Sequence, residues 1–244
     1  MTTIRVAQIL SSVLDGATEE TDLSHRFVLA CTNALPVTGV GLALMTGDGH
    51  AGTVAVSDEP AAAMEELQFT LGEGPCMECS ATDRPVLQPD LARTGPGRWP
   101  EFSSGALGVG IRAIFALPLQ VGAIRLGVLD LYRDTIGDLT TDELTEALDF
   151  ADAATALLLH LQGQTSLEGP GLGGIEVIED RAEIHQATGM ISVQGGMKMA
   201  DALVRLRARA YASERPILEI AHDVLVHRIS FDPSYDGDDE NDGR

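Results

Sequence analysis

The chain has 244 residues, 44% of them apolar and only 4% aromatic, which is enough for one sizeable core and a second small domain. Its 37 acidic residues outnumber its 16 basic ones and leave a net charge near −21, which works against nucleic-acid binding by the chain as a whole, because such affinity comes largely from neutralised phosphates. No apolar run approaches the roughly 20 residues that span a bilayer, the N-terminus lacks the apolar core of a secretory signal, and three cysteines do not make a disulfide framework, so a cytoplasmic protein that does not enter membranes is expected.

In chain order, residues from about Thr3 to Leu35 read as two helices around Asp15-Gly16, with Cys31 on an apolar face. Gly39 to Met45 reads as a strand, Gly47-Asp48-Gly49 as a turn, and Thr53 to Val56 as the returning strand. The run Gly72-Glu73-Gly74-Pro75 shapes the backbone, and it leads into Cys76 and Cys79, a C-x-x-C pair. Such a pair acts as a redox switch if each thiol lowers the pKa of the other; alternatively one thiol packs inward and the other lies on the surface. No second pair completes a metal site, and neither a phosphate loop nor a zinc-spaced His/Cys ladder is present, so no metal is expected.

Trp99 follows Arg98 in a Pro/Gly-rich loop, where it either closes a pocket or simply packs. A hairpin is expected from Ala113 through Leu119, turning near Gly122 and returning from Ile124 to Arg133, with Ala113, Phe115 and Leu117 on one face. Asp130 lies in the middle of the apolar returning strand. A carboxylate there must be solvated by an opening or paired, with Arg125 and Arg112 as candidate partners, so it is either half of a structural ion pair or a pocket-lining group. Thr140 and Glu143 form a capping-box pattern before a helix expected to bury Leu144, Leu148, Ala151, Thr155 and Leu158. The Gly/Ser/Pro-rich stretch Gly163 to Gly174 reads as a flexible linker that cannot continue a helix.

The segment from about Glu179 to Phe231 reads as three short amphipathic helices. Gly195-Gly196 breaks the first from the second, and Pro216 suits the first turn of the third. The second places Met199, Ala202, Leu203, Leu206 and Ala210 on one stripe, and the third does the same with Ile217, Ile220, Ala221, Val224 and Leu225. Arg181, Lys198, Arg205, Arg207, Arg209, Arg215 and Arg228 concentrate nearly half of the chain's 16 basic residues here. At about 100° per residue, Lys198, Arg205 and Arg209 fall within roughly 40° of one another beside the apolar stripe. That cluster is either a nucleic-acid contact or an ordinary solvated face, in which Asp201 pairs with Arg205. Val177, Ile184 and Ile191 keep a seven-residue spacing suited to pairing with a second copy. The tail from Asp232 is acidic, poor in apolar residues and expected to be disordered.

This C-terminal unit resembles the ANTAR module, an RNA-binding domain of transcription antitermination regulators. The resemblance rests on Arg181, Ile184, Gln186, Ala187, Gly189, Met190 and Ile191, then Ala202, Leu206, Arg207 and Ala210, then Ile220, Ala221 and Val224. The family usually has a lysine where this chain has Thr188, which removes one cationic phosphate contact from the pattern. Upstream, L-G-E-G-P-C, R-P-V-L-Q-P-D-L, R-W-P-E-F and F-A-L-P-L-Q-V-G-A-I-R-L-G-V-L-D-L-Y-R resemble the GAF sensory domains that precede ANTAR modules in actinobacterial regulators.

The resemblances imply an α+β organisation. A GAF-type antiparallel sheet flanked by helices occupies residues 1–162, with a cavity on one face that binds a small molecule in many relatives. A linker follows over 163–174, then an all-α three-helix ANTAR-type module over 175–231 and the acidic tail over 232–244. They imply a homodimeric, non-enzymatic regulator of structured nascent RNA, with Arg181, Lys198, Arg205, Arg207, Arg209 and Arg215 on the RNA. Cys76, Cys79 and Asp130 are the candidates for ligand or redox sensing. The rival readings are a GAF-type reductase that uses Cys76 or Cys79 on free methionine sulfoxide, and a helical module that binds protein rather than RNA.

Overall fold

A computed structural model describes residues 2–15, 23–46, 49–168 and 175–231. The expected turn at Gly47-Asp48, the later part of the linker and the acidic tail from Asp232 lie outside them, as do the side chains of Val177 and Arg181. The chain divides into two compact units, Met1–Val177 and Ile178–Arg244.

In the first unit, α1 (Thr2–Leu14) and α2 (Leu23–Ala34) precede the hairpin β1 (Gly39–Thr46) and β2 (Gly49–Val56). Then come α3 (Glu59–Leu71), α4 (Pro75–Thr82), β3 (Val86–Gln88), α5 (Leu91–Thr94) and α6 (Pro100–Gly108). The second hairpin, β4 (Ala113–Val121) and β5 (Ile124–Arg133), leads to the long α7 (Thr141–Glu168). The five strands form one antiparallel sheet in the order β2-β1-β5-β4-β3. The β4–β5 hairpin is the one anticipated from the sequence.

Strand alternation divides the interior into two cores. Ala113, Phe115, Leu117, Leu129 and Leu131 face the first, against α1, α2 and α7. Ile114, Ala116, Val128 and Tyr132 face the second, with Met64 from α3, Cys76 and Cys79 from α4, and Trp99 and Phe102 around the start of α6. Central strands are therefore apolar on both sides, and this is why β5 reads as a nearly continuous hydrophobic run.

The capping box forms: Thr140 N–H donates to Glu143 Oε2 at 2.8 Å, and Glu143 N–H donates to Thr140 Oγ1 at 3.3 Å. The buried face of α7 differs in phase from the expected one, because Ala147, Phe150, Ala151, Ala154, Leu157 and Leu158 turn inward while Leu148 is 43% exposed. Its alanines allow close approach to the sheet, which a stripe centred on Leu148 would not. Helix α7 also runs through Gly163 to Glu168, into the stretch that composition assigns to the linker. A lone glycine costs a helix only about 1 kcal/mol relative to alanine, and the Gln, Thr, Ser, Leu and Glu around it are tolerated.

The second unit holds α8 (Ile175–Gly195) from Ile178 onward, α9 (Met199–Ala212) and α10 (Ile217–Leu225). Gly196 takes φ +58°, the left-handed conformation that ends α8, and Pro216 caps α10 rather than entering its first turn. Ala202, Leu206 and Ala210 of α9 and Ile217, Ile220, Ala221 and Val224 of α10 are buried, whereas Met199 is 48% exposed. Ties to α8 come from Phe231 N–H, which donates to Gln194 Oε1 at 3.0 Å, and from His222 Nδ1, 3.6 Å from Glu183 Oε2.

Candidate functional site

The turn between α3 and α4 is built by two glycines. Gly72 takes φ +66° and closes α3, and its N–H donates to Gln68 O. Gly74 takes φ +131°, and a Cβ there would meet Gln68 Oε1 at 2.6 Å. Between them, Glu73 reaches out to accept a hydrogen bond from Phe102 N–H at 2.8 Å, which fixes the start of α6. The loop thus has the backbone-shaping role expected of it. Its consequence is that Cys76 enters the second core at the first turn of α4, held by its own N–H donating to Gln68 Oε1 at 2.8 Å.

Asp130 sits on the same side of the sheet and is fully buried. It is neither solvated through an opening nor paired with Arg125 or Arg112: Arg125 pairs with Asp83, and Arg112 donates to the carbonyls of Leu107 and Ile111. Its neighbours across the sheet are Gly41 on β1 and Ala116 on β4, two small residues that leave room above the strand. That room is taken by Glu65, which reaches in from α3 and is 1% exposed. A Cβ on Gly41 would lie 2.0 Å from Glu65 Oε1, so the bare glycine is what lets this carboxyl lie on the sheet.

The result is a buried polar cluster. Glu65, Cys76 and Asp130 bring a carboxylate oxygen, a thiol and a second carboxylate oxygen within 4.8 Å of one another. Tyr132 donates from its hydroxyl to Glu65 Oε1 at 2.7 Å, and Gln68 Nε2 donates to that hydroxyl at 3.2 Å. Burial first, and the neighbouring Glu65 second, push the Asp130 carboxyl well above the usual carboxylate range. Burial also raises Cys76, with Asp130 and Glu65 adding to it, and raises Tyr132 with Glu65 adding to it.

Cys79 lies one turn further along α4, also buried, and its thiol is raised by burial and then by Asp130. Neither cysteine is a surface thiol, and both are free. Cys31 is buried in the other core, as expected. A helix N-terminus lowers the pKa of a thiol, but here burial and the adjacent carboxyls outweigh it, so the protonated forms dominate at neutral pH.

Trp99 packs in the second core, 4% exposed, with the Arg98 guanidinium 4.2 Å over its ring. At the edge of that core, a cleft of about 630 Å³ is lined by Glu78, Thr82, Arg84, Val86, Leu87 and Arg98. It touches none of the cluster residues. Met64, Trp99, Phe102 and Tyr132 pack together in the second core, on the sheet face that carries Asp130.

In the C-terminal unit the basic residues separate by exposure. Lys198, Arg205 and Arg209 are exposed, and none forms an ion pair among the described residues; Asp201 does not bridge to Arg205. Arg207 is half-buried, and desolvation lowers its pKa. Arg215 is engaged by acids: its Nε lies 3.1 Å from Glu219 Oε2 and its Nη2 lies 2.8 Å from Asp223 Oδ2. Arg228 reaches the other oxygen of Asp223 at 3.2 Å. The backbone of Arg181 lies in α8.

Ile184 and Ile191, assigned by spacing to a pairing seam, are 8% and 0% exposed within the single chain. Thr188 is buried too and returns its hydroxyl to Ile184 O at 2.6 Å. The position where the family usually has lysine therefore faces inward.

Spacing along the chain could not have found Glu65, Gln68 and Tyr132. The one available signal was Glu65 itself, an acid set among apolar positions of α3.

Residues 5–159 match the GAF domain family and residues 176–225 the ANTAR domain family. No curated protein matches the chain. Among solved structures, the chain is similar to the GAF domain from an Acinetobacter phosphoenolpyruvate-protein phosphotransferase, with TM-score 0.52 at 11% identity over 68% of this chain and 98% of that one. The GAF domain of the corresponding Coxiella burnetii protein gives 0.48 at 15% identity, over 68% and 97%. Free methionine-R-sulfoxide reductase from Neisseria meningitidis gives 0.46 at 16% identity, over 65% and 89%. At such identities the likeness is one of fold. No described helix is long and apolar enough to cross a membrane. With the family matched over most of the chain and the helical unit after it matched separately, the protein belongs to the GAF domain family and carries an ANTAR domain behind its sensor domain.

Proposed function

We propose that this chain is an RNA-binding transcription antitermination regulator: the GAF domain senses a signal, and the ANTAR domain holds structured nascent RNA in an arrangement that excludes a terminator hairpin. The observation that carries this reading is the flank of α9. Lys198, Arg205 and Arg209 stand exposed and form no ion pair among the described residues, in a chain whose net charge is −21. Arg215 and Arg228, in the same module, are instead paired with Asp223. The three exposed side chains contact phosphates, and unstacked loop bases supply specificity.

The signal is read at the buried cluster of Glu65, Cys76 and Asp130, with Cys79 beside it. No catalytic step belongs to this reading. The functional unit is a homodimer that presents two modules to two stem-loops, with avidity set by the geometry between them.

The test is RNA binding by the full chain and by the triple variant Lys198→Ala, Arg205→Ala, Arg209→Ala across a salt series. The variant should bind more weakly, and its slope of log affinity against log salt should be shallower by about 2, the counterion release of three phosphate contacts on single-stranded RNA. An unchanged slope in a folded variant removes this surface from the reading.

A further inference from the structure

The cluster in the second core poses an electrostatic problem. This chain has 37 acidic residues and ample surface to solvate them, yet two carboxyls lie buried side by side against a thiol. No basic side chain reaches Asp130 among the described residues, and the polar groups against its carboxyl are themselves acids, Glu65 and the Cys76 thiol. Burying an ionised carboxylate without a partner is prohibitive, so such a group either stays protonated or meets a cation.

The surroundings favour a cation and limit its size. Three donor atoms on three different elements converge to within 4.8 Å, close enough for modest side-chain rotation to bring them onto one ion. Met64, Trp99, Phe102 and Tyr132 pack into the same core, so what converges here is a set of donor atoms at single-ion spacing. Hydrogen bonds outside the donors hold two of them in place. Tyr132 donates to Glu65 Oε1, Gln68 donates to Tyr132, and the Cys76 N–H donates to Gln68, so α3, α4 and β5 are tied into one frame around the donors. Outer partners of this kind set the orientation of metal ligands.

Donor chemistry selects the ion. A thiolate disfavours magnesium and calcium, which take all-oxygen shells, whereas one sulfur with two carboxylate oxygens suits zinc and the neighbouring divalent transition ions. Three anionic donors also offset the ion's two positive charges inside an apolar core.

We propose that the GAF domain binds one divalent transition cation of the zinc type between Glu65, Cys76 and Asp130. On binding, the Cys76 thiol proton and the proton held on the carboxyl pair leave for solvent, and the cation takes their place; binding therefore weakens as pH falls. This deepens the sensor reading by naming the class of signal, and it rests on that reading only for its effect on RNA.

The test uses the full chain after treatment with a chelator, titrated with Co²⁺ alone and followed by absorption, then competed with Zn²⁺. One equivalent of Co²⁺ should give a near-ultraviolet thiolate-to-metal band that Zn²⁺ abolishes. Cys76→Ser should remove the band, Asp130→Asn should weaken Co²⁺ binding at least ten-fold, and Tyr132→Phe should weaken it by about 10–100-fold. Cys31→Ser, in the other core, should leave the band unchanged. Circular dichroism checks that each variant is folded, and any that is not is replaced by titrating Zn²⁺ into wild type and assaying Cys76 for protection from a thiol reagent in mild denaturant. A wild type without the band, or a band that survives Cys76→Ser, overturns the proposal. The spectrum is read without RNA, so a chain that fails to bind RNA sinks the regulator reading and leaves this site decided on its own evidence.

Discussion

Tyr132 on β5 and Glu65 on α3 meet inside the second core, the phenol hydroxyl donating to Oε1 of the carboxyl at 2.7 Å. The contact joins the sheet to the helix that covers it, at a position where neither group reaches water. Tyr132→Phe keeps the ring and deletes the donor, and loss of a buried hydrogen bond to a carboxyl costs about 1–3 kcal/mol. Chemical denaturation should place the GAF domain's transition earlier by that amount. An unchanged midpoint would mean that the hydroxyl contributes nothing to stability.

Asp130 makes stability depend on pH with a definite sign. Its pKa is raised in the folded state by burial and by Glu65, whereas in the unfolded chain it titrates at about 3.9. The stability from the retained proton is therefore fully present below about pH 4 and is lost as pH rises toward the folded value. Asn cannot ionise. In chelated protein, Asp130→Asn should gain on wild type as pH rises above the unfolded value of about 4, read as melting temperature at each pH. Parallel curves for the two proteins would show that Asp130 is not held protonated.

Arg205 and Arg207 should respond oppositely to alanine. Arg205 is exposed, so its removal should lower RNA affinity and leave the module's melting temperature within the range of ordinary surface changes, about ±0.5 kcal/mol. Arg207 is half-buried and desolvated, so its removal should destabilise the module through lost packing and leave the salt slope of RNA binding unchanged. A salt slope that falls equally for both would place Arg207 on the RNA as well.

The cysteines should be silent toward thiol reagents in the native state. Cys31, Cys76 and Cys79 are all 0% exposed, and burial raises each thiol. At neutral pH the full chain should label only as fast as it opens, with all three reacting together in denaturant. Rapid stoichiometric labelling of Cys76 or Cys79 in folded protein would revive a redox switch.

Much of the architecture was legible locally. The β4–β5 hairpin follows from alternation around Gly122, the start of α7 from Thr140 and Glu143, and the three C-terminal helices from their stripes between Gly196 and Pro216. Each depends on residues within a few positions of one another, which is the range over which turn chemistry, capping and periodicity act.

The candidate site was legible only in part, because its chemistry is decided by contacts between distant segments. The amino-acid order marked Asp130 as a carboxyl out of place in an apolar strand and marked Cys76 as a thiol after a shaped turn. It also marked Lys198, Arg205 and Arg209 as one flank of a helix. Only the packing of α3 and α4 on the sheet brought Glu65 to Asp130 and Cys76, turned Arg125 away to Asp83, and sank both thiols. Only the docking of α8, α9 and α10 separated Arg207 from its exposed neighbours and turned Ile184, Thr188 and Ile191 inward. The reason is physical: local sequence sets which face of an element is apolar, but the pKa of a buried acid, the partner of an arginine and the accessibility of a thiol depend on what the other elements place against that face.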